Sequence, residues 1–357
     1  MKKLIRLFFV LLFSAVTLAS VQAREKVILD TDMVEVFDDG MAMMMLQRSP
    51  AIELLGVTVV VGNSRVGAGL AYALKQLESI DARNIPVFAG VTLPIRPNRL
   101  ENIKEENKLF GRGHDGWLGA AQTEEPASWE AFYTSRYGSS PTLRPQTTHA
   151  VDFIIEQVKK YPHQITIAAI GTCANLAMAV RKAPEIIPLI KRVVYMGGAF
   201  FQQGNVTPAA EFNWWLDPEA AKVAVRSPFK EQIVVGLDVC EKVRISAEQY
   251  KTVMNTVKSK DIKTMLEQSY MFALFEKDSS YKHYIWDVLV AALIIDPSTI
   301  TGEKTYHIDV NTEFGSSYGQ ALAYKGPPPA GTQPARIITD MDGGKVWSLI
   351  LELAKKI

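Results

Sequence analysis

From residue 26 onward, short runs of consecutive apolar residues alternate with longer stretches in which apolar positions recur every three or four residues. Residues 26–30, 52–61, 165–170, 192–196 and 233–237 are rich in Val and Ile and almost uninterrupted. That is the pattern of strands covered on both faces of a parallel sheet. Between them, residues 40–47, 66–79, 148–160, 174–182, 218–225 and 286–295 read as helices. A last helix over 344–356 places Val346, Leu349, Ile350 and Leu353 on one side. The alternation predicts an α/β fold: an open, mostly parallel sheet with helices on both faces and a Rossmann-like core. Residues 326–331 (GPPPAG) read as a rigid loop between late strands. No linker or repeat breaks residues 24–357, which are expected to form one domain.

The first residues follow a different pattern. Lys2, Lys3 and Arg6 precede the apolar run 7–18, and Val21-Gln22-Ala23 supplies the small residues a signal peptidase reads. Residues 1–23 therefore read as a cleavable secretory signal, which implies a secreted or periplasmic protein with no stable membrane insertion after cleavage. Cleavage would remove three positive charges and no negative ones, turning the formal net charge of +1 into −2. A faintly acidic chain excludes a general binder of nucleic-acid polymers. The two cysteines, Cys173 and Cys240, sit in unrelated apolar settings and read as buried free thiols.

In wound sheets, ligands bind beyond the carboxyl ends of the strands. The polar clusters Asp30-Thr31-Asp32, Gly62-Asn63, Gly171-Thr172, Gly197-Gly198 and Asp238 all fall there. Asp30, Asp32, Asp38 and Asp39 put four carboxylates within ten residues, between a strand and a helix. Such a cluster repels itself unless a positive charge neutralises it, and a hard divalent cation with oxygen ligands would do so. The opening VILDTDMV resembles, over these few residues, the haloacid dehalogenase phosphatases, where the first Asp is the nucleophile and Mg²⁺ the cofactor.

A second resemblance explains far more of the chain. Asp-x-Asp, a turn, then Asp-Asp and an apolar helix resembles the calcium loop of the inosine–uridine-preferring nucleoside hydrolases. The supporting motifs follow in order: Val61-Gly62-Asn63, then Gly171-Thr172-Cys173-Ala174-Asn175-Leu176-Ala177. Met196-Gly197-Gly198, Gly204-Asn205, Glu211-Phe212-Asn213, Asp217-Pro218-Glu219-Ala220-Ala221 and Trp286-Asp287 complete the set. The resemblance implies an enzyme that hydrolyses the N-glycosidic bond of ribonucleosides to free base and ribose, with Ca²⁺ as cofactor. It implies that Asp32, Asp39, Asp287 and the carbonyl of Ala174 ligate the ion, and that Asp32 is the catalytic base that activates water. Asp38, Asn63 and Asn213 would bind the ribose 2′- and 3′-hydroxyls, Asn205 and Glu211 the 5′-hydroxyl, and Met196 would line the sugar pocket. Trp stands at 286 where pyrimidine-tolerant members carry His, and this resembles the purine-selective branch, in which stacking on the base assists its departure. Trp117, in the glycine-rich loop 113–117, is a second stacking candidate, and His283 and Tyr284 are further base contacts to consider. A homodimer or homotetramer is implied in the same way.

Two features set this chain apart from the resemblance. Asp32 and Asp38 are separated by Met33-Val34-Glu35-Val36-Phe37, a turn two residues longer than the usual one and lacking its Pro and Gly. The role split between Asp30 and Asp32 is therefore open, and Glu35 can reach the site. If the longer loop had cost catalysis, the alternative would be a non-catalytic nucleoside- or sugar-binding protein.

Overall fold

The structure, a computed structural model, describes residues 23–113 and 116–357. Residues 1–22 of the expected signal 1–23 and the loop residues His114 and Asp115 lie outside the described residues. In the first half, β1 (Glu25–Thr31), α1 (Asp39–Arg48), β2 (Ile52–Val59), α2 (Val66–Ser79) and β3 (Val87–Ala89) lead to α3 (Arg99–Phe110), α4 (Trp129–Tyr137) and α5 (Ala150–Lys160). Then follow β4 (Ile165–Ala169), α6 (Ala174–Lys182), β5 (Arg192–Met196), α7 (Phe212–Leu216), α8 (Pro218–Arg226), β6 (Gln232–Val235) and α9 (Leu237–Cys240). The rest comprises β7 (Arg244–Ser246), α10 (Ala247–Thr256), α11 (Lys260–Glu267), α12 (Tyr270–Lys277), β8 (Lys282–Tyr284) and α13 (Trp286–Ile295), then β9 (Ile300–Val310), β10 (Ala321–Tyr324), β11 (Gln333–Met341) and α14 (Gly343–Ala354).

Nine strands form one sheet in the order β10-β9-β11-β6-β5-β4-β1-β2-β3, parallel from β3 across to β11 and antiparallel at β9 and β10. Along β1, Val27 and Leu29 enter one buried layer and Ile28 the other, as the two-residue period of a strand requires. The expected α/β architecture is present. The expectation misses the antiparallel edge. The 11-residue β9 is half exposed over most of its length, so its sequence lacks the continuous apolar run that marks a covered strand. The strand expected over 233–237 ends at Val235, and Leu237 already begins the short helix α9.

The helices differ in how much of their surface they bury. Amphipathic α5 and α8 cover the sheet, whereas α1 is buried on every side from Asp39 to Leu46 and α13 from Asp287 to Ile294. A helix apolar all round belongs inside a layer of other helices. Met41, Met43, Met44 and Met45 are fully buried there, and Cys173 and Cys240 are buried free thiols, both as expected. No helix of the described residues is long and apolar enough to cross a membrane.

Strand β1 has β2 on one side and β4 on the other, so the direction of winding reverses at its carboxyl end. The ligand crevice of wound sheets opens at that place. The wall beside it is fixed by a buried ion pair. Arg99 donates to Glu106 and to the Trp215 carbonyl (2.9 Å), while the Trp215 indole N–H donates to Glu106 (2.6 Å). Removing one partner of a buried pair costs about 3–5 kcal/mol, because the other charge stays buried and unpaired. Glu106→Ala should therefore lower the unfolding free energy by about that much in a urea titration; a loss under about 1 kcal/mol would mean that solvent reaches Arg99.

Candidate active site

The carboxylates near β1 divide by geometry. Asp30, still within the strand, accepts hydrogen bonds from Thr58 (2.7 Å) and from Asn175 on α6 (2.7 Å). Its backbone carbonyl also accepts from Ile170 N–H (2.8 Å). Asp30 thus ties β1 to its neighbours. Asp32 has turned out of the strand, and its Oδ2 accepts from Asn63 N–H (2.5 Å). Gly62 and Gly171 flank it so closely that a Cβ on Gly62 would lie 2.0 Å from Asp32 Oδ2, and one on Gly171 2.6 Å from Asp32 N. Those two glycines let the carboxylate sit where the three strands converge.

The next two acids are placed by the start of α1. The longer turn 33–37 is fastened by the fully buried Gln76 of α2, whose side-chain oxygen accepts from Val36 N–H (2.7 Å) and whose amide donates to the Val34 carbonyl (3.2 Å). Asp38 is the N-cap of α1, yet its side chain reaches across to α13, accepting from the N–H of Asp287 (2.8 Å) and Val288 (3.3 Å). Asp39 accepts from the Thr31 hydroxyl. Two helix N-termini thereby meet the end of β1, and each favours negative charge.

Asp30, Asp32, Asp39 and Asp287 are buried and Asp38 is partly so, and loss of solvent is the leading reason that each resists ionisation. Asp30 is pushed up to about 6. Asp39 also rises to about 6 by burial, held from going higher chiefly by the Thr31 hydroxyl. Asp38 reaches about 8 through burial and the charge of Asp39. Asp32 and Asp287 go well above the usual range, Asp32 by burial and Asp39, Asp287 by burial and the charges of Asp38, Asp39 and Asp32. Among the described residues, no group of three or more His, Cys, Asp or Glu side chains is arranged to hold a metal ion. Asp32 Oδ1 and Asp39 Oδ2 are nevertheless buried without a hydrogen-bond partner. Unpartnered carboxylate oxygens in a dry, like-charged cluster have the donor chemistry of a hard-cation site.

Beside this cluster lies a cavity of about 730 Å³. Of the residues expected at the site, Asp38, Asp39, Asn63, Trp117, Met196, Asn205, Glu211, Asn213, Trp286 and Asp287 all line it. Asp32 and Ala174 do not. Asp32 is fully buried beside Asp39, and Ala174 opens α6 with no exposed surface. Glu211, the N-cap of α7, accepts from the N–H groups of Asn213 (2.7 Å), Gly198 (2.9 Å) and Trp214 (3.1 Å), and burial still pushes it up to about 7. Asn213 donates to the carbonyls of Ile170 (2.9 Å) and Met196 (3.2 Å), leaving its buried side-chain oxygen without a partner. Asn205 caps the Phe212 N–H (3.0 Å). Asp238, at the end of β6, is absent from the cavity wall and instead holds the Phe200 and Phe201 N–H groups (3.0 and 2.7 Å).

The other end of the cavity is aromatic. Trp117 donates its indole N–H to Asn63 (2.9 Å), and Trp286 lies with its ring centroid 5.3 Å from Tyr284 and 5.5 Å from His283. His283 Nδ1 donates to the Tyr284 carbonyl (2.9 Å), since a carbonyl can only accept. Sequence reasoning missed Arg136, Gln268 and Tyr270, which also line this end. They lie on or beside α4 and α12, elements without a motif; only the polar–aromatic mixture of these segments hinted at a surface with two kinds of neighbour. Glu35 is at the cavity, but it faces Arg136 and Tyr137 rather than the aspartates.

A family model described as inosine-uridine preferring nucleoside hydrolase matches residues 27–348. The pyrimidine-specific ribonucleoside hydrolase RihB of Escherichia coli O9:H4 (strain HS) is 30% identical over 315 residues, which cover 84% of this chain and 87% of that one. Among solved structures, a plant nucleoside hydrolase, the PpNRh1 enzyme, superposes with a TM-score of 0.75 at 26% identity, covering 93% of this chain and 99% of that one. A purine-preferring ribonucleoside hydrolase from Gardnerella vaginalis gives 0.72 at 25% identity, with the same coverage.

The electrostatics of the cluster predict a measurable penalty. A carboxyl whose pKa is raised by folding stabilises the fold below its unfolded pKa and loses that contribution as pH rises through the folded value. In metal-free buffer above about pH 8, where Asp38 also ionises, Asp287→Asn should raise the melting temperature. One pKa unit is worth about 1.4 kcal/mol, or roughly 2 °C for a chain of this size. The gain should vanish at about pH 2, well below the unfolded pKa of about 3.9, where the acids are neutral in both states. An unchanged or lower melting temperature at high pH would mean that the carboxylates do not repel one another.

Proposed function

Because the chain belongs to the inosine-uridine preferring nucleoside hydrolase family, we propose that this crevice hydrolyses ribonucleosides with a calcium ion at the aspartate cluster and a preference for purine bases. The observation that carries the reading is the meeting of Asp32, Asp38, Asp39 and Asp287 beside a cavity with a polar end and an aromatic end. The phosphatase resemblance accounts only for the first of these acids, whereas the family match spans residues 27–348.

The donor set fits a hard divalent cation: Asp32, Asp39 and Asp287 would hold it with the Ala174 carbonyl, and when bound it supplies a positive charge that favours ionised carboxylates and a more acidic attacking water. Asp32 then takes the water's proton. Its raised affinity for protons, a consequence of burial beside Asp39, suits that task. Asp38, Asn63 and Asn213 bind the ribose 2′- and 3′-hydroxyls. Asn213 keeps an unpartnered oxygen for this purpose while its amide is anchored on two carbonyls. Asn205 and Glu211 bind the 5′-hydroxyl, and Met196 packs against the sugar. Breaking the glycosidic bond builds positive charge on the ribose ring, which the surrounding carboxylates stabilise as it forms.

At the base end, Trp286 and Trp117 offer indole faces to the leaving base, and stacking is worth about 1–3 kcal/mol per base. Trp in place of a histidine acid supports the purine preference; the pyrimidine specificity named for RihB is the outcome that would overturn it. Residues 1–23 support export, so the protein would act on nucleosides outside the cytoplasm, as a homodimer or homotetramer.

The purified mature chain should release reducing sugar from inosine and guanosine faster than from uridine, and a chelator should abolish release until Ca²⁺ is restored. Activity unchanged by exhaustive chelation would remove the metal from the reading. Asp39→Ala and Asp287→Ala should each lower turnover by at least about a thousandfold, on the order of 4 kcal/mol of lost transition-state stabilisation, and should abolish tight Ca²⁺ binding in calorimetry. Trp286→Ala should cost purine nucleosides about tenfold or more in kcat/KM and uridine less; equal losses would count against stacking.

A further inference from the structure

The two residues by which the acid loop exceeds the family's usual turn bring Glu35 to the cavity, and Glu35 brings Arg136. The Glu35 carboxylate accepts from Arg136 Nη2 (2.5 Å) and Nε (3.3 Å) and from the Tyr137 hydroxyl (2.5 Å). The Glu35 side chain is 13% exposed and that of Arg136 44%. The pair is thus anchored on the protein side and open on the other, and both residues line the cavity with Trp117 and Trp286. Two nitrogens of the fork are engaged by Glu35. Among the described residues, Nη1 donates to no protein acceptor, which leaves that edge of the guanidinium to whatever fills the cavity.

A guanidinium has donors and no acceptor. The edge of a 6-oxopurine presents two adjacent acceptors, O6 and N7, and Arg pairs with them in a bidentate manner; adenine presents an amino donor beside N7. We propose that Arg136, positioned by Glu35, reads the leaving base and makes hypoxanthine and guanine nucleosides better substrates than adenosine. This rests on the nucleoside hydrolase reading above and names the base class within it. The same contact aids departure. As the glycosidic bond breaks, its electron pair moves onto the base, and a donor at O6 and N7 stabilises the charge that develops there.

The test compares kcat/KM for inosine, guanosine and adenosine in the wild type, R136M, R136K and E35Q. In R136M the inosine-to-adenosine ratio should fall about tenfold or more, with adenosine itself within about twofold and guanosine following inosine. R136K, which keeps the charge but not the fork, should lose most of the discrimination, and E35Q should lose part of it. A purely structural role would lower both substrates together, so an unchanged ratio in R136M overturns the proposal. Calorimetry with free hypoxanthine and adenine separates this inference from the reading beneath it. If the wild type hydrolyses no nucleoside, the hydrolase reading fails; R136M weakening hypoxanthine at least fivefold while sparing adenine still supports Arg136 as the base reader. Equal weakening, or none, rejects it.

Discussion

The structure depends on holding like charges together out of water. Asp32, Asp39 and Asp287 are buried with Asp38 partly buried beside them, and the charge of Asp39 raises the cost of ionising each of the other three. Helix α1 begins at Asp39 and α13 at Trp286, so the acids sit at two N-termini whose partial positive charge offsets some of that cost. The two effects differ in size. A helix terminus contributes about 0.3–1 kcal/mol, up to about 2 in a buried setting, whereas the effective penalty for burying an ion is several kcal/mol. Helix ends alone cannot balance the cluster. A doubly charged cation at the unpartnered oxygens of Asp32 and Asp39 can, and the proposed calcium site is the physical answer to that imbalance.

The rest of the architecture is the means of keeping this arrangement rigid. α1 and α13 are apolar all round and lie inside the fold, so neither can shift without disturbing a packed core. Asp38 reaches from one helix to the backbone of the other and locks their starting points together. Gly62 and Gly171 admit Asp32 to a place that any Cβ would block. Gln76 spends its amide on the turn between Asp32 and Asp38, fixing a loop that has neither Pro nor Gly to stiffen it. Stability is given up at the cluster and recovered in the layers around it, which is the usual relation between a reactive site and its scaffold.

The crevice is asymmetric because different parts of the chain build its two ends. The polar end comes from the carboxyl edges of β1, β2 and β5 and from α7, all parts of the sheet or its immediate connections. The aromatic end comes from α12, β8 and the start of α13, with Trp117 and Arg136 of α4 also lining it. In the proposed reading, sheet-borne residues bind the sugar and the more peripheral elements meet the base. This division lets base preference vary on a constant hydrolytic core, in line with pyrimidine-specific and purine-preferring relatives of one fold.

Much of this was legible in the residues alone. The covered strands and the acid cluster after β1 follow from local periodicity and spacing, the Glu-Phe-Asn and Trp-Asp motifs from the family resemblance, and the structure gathers ten of the residues so named around one cavity. Three features were not legible. Asp238 has the composition and position of a site residue but is consumed by two backbone N–H groups. β9 is a strand although its exposed positions erase the apolar pattern. Arg136 and Glu35, 101 residues apart, meet only because α4 packs beside the lengthened turn. The sequence by itself determined which residues could do chemistry and on which elements they lie, since capping, periodicity and turn length are short-range properties. Only the tertiary structure decided which helix ends share one buried volume, because that depends on many weak contacts between distant segments, and in this protein it sets the charge of the site and which side chains line the cavity beside it.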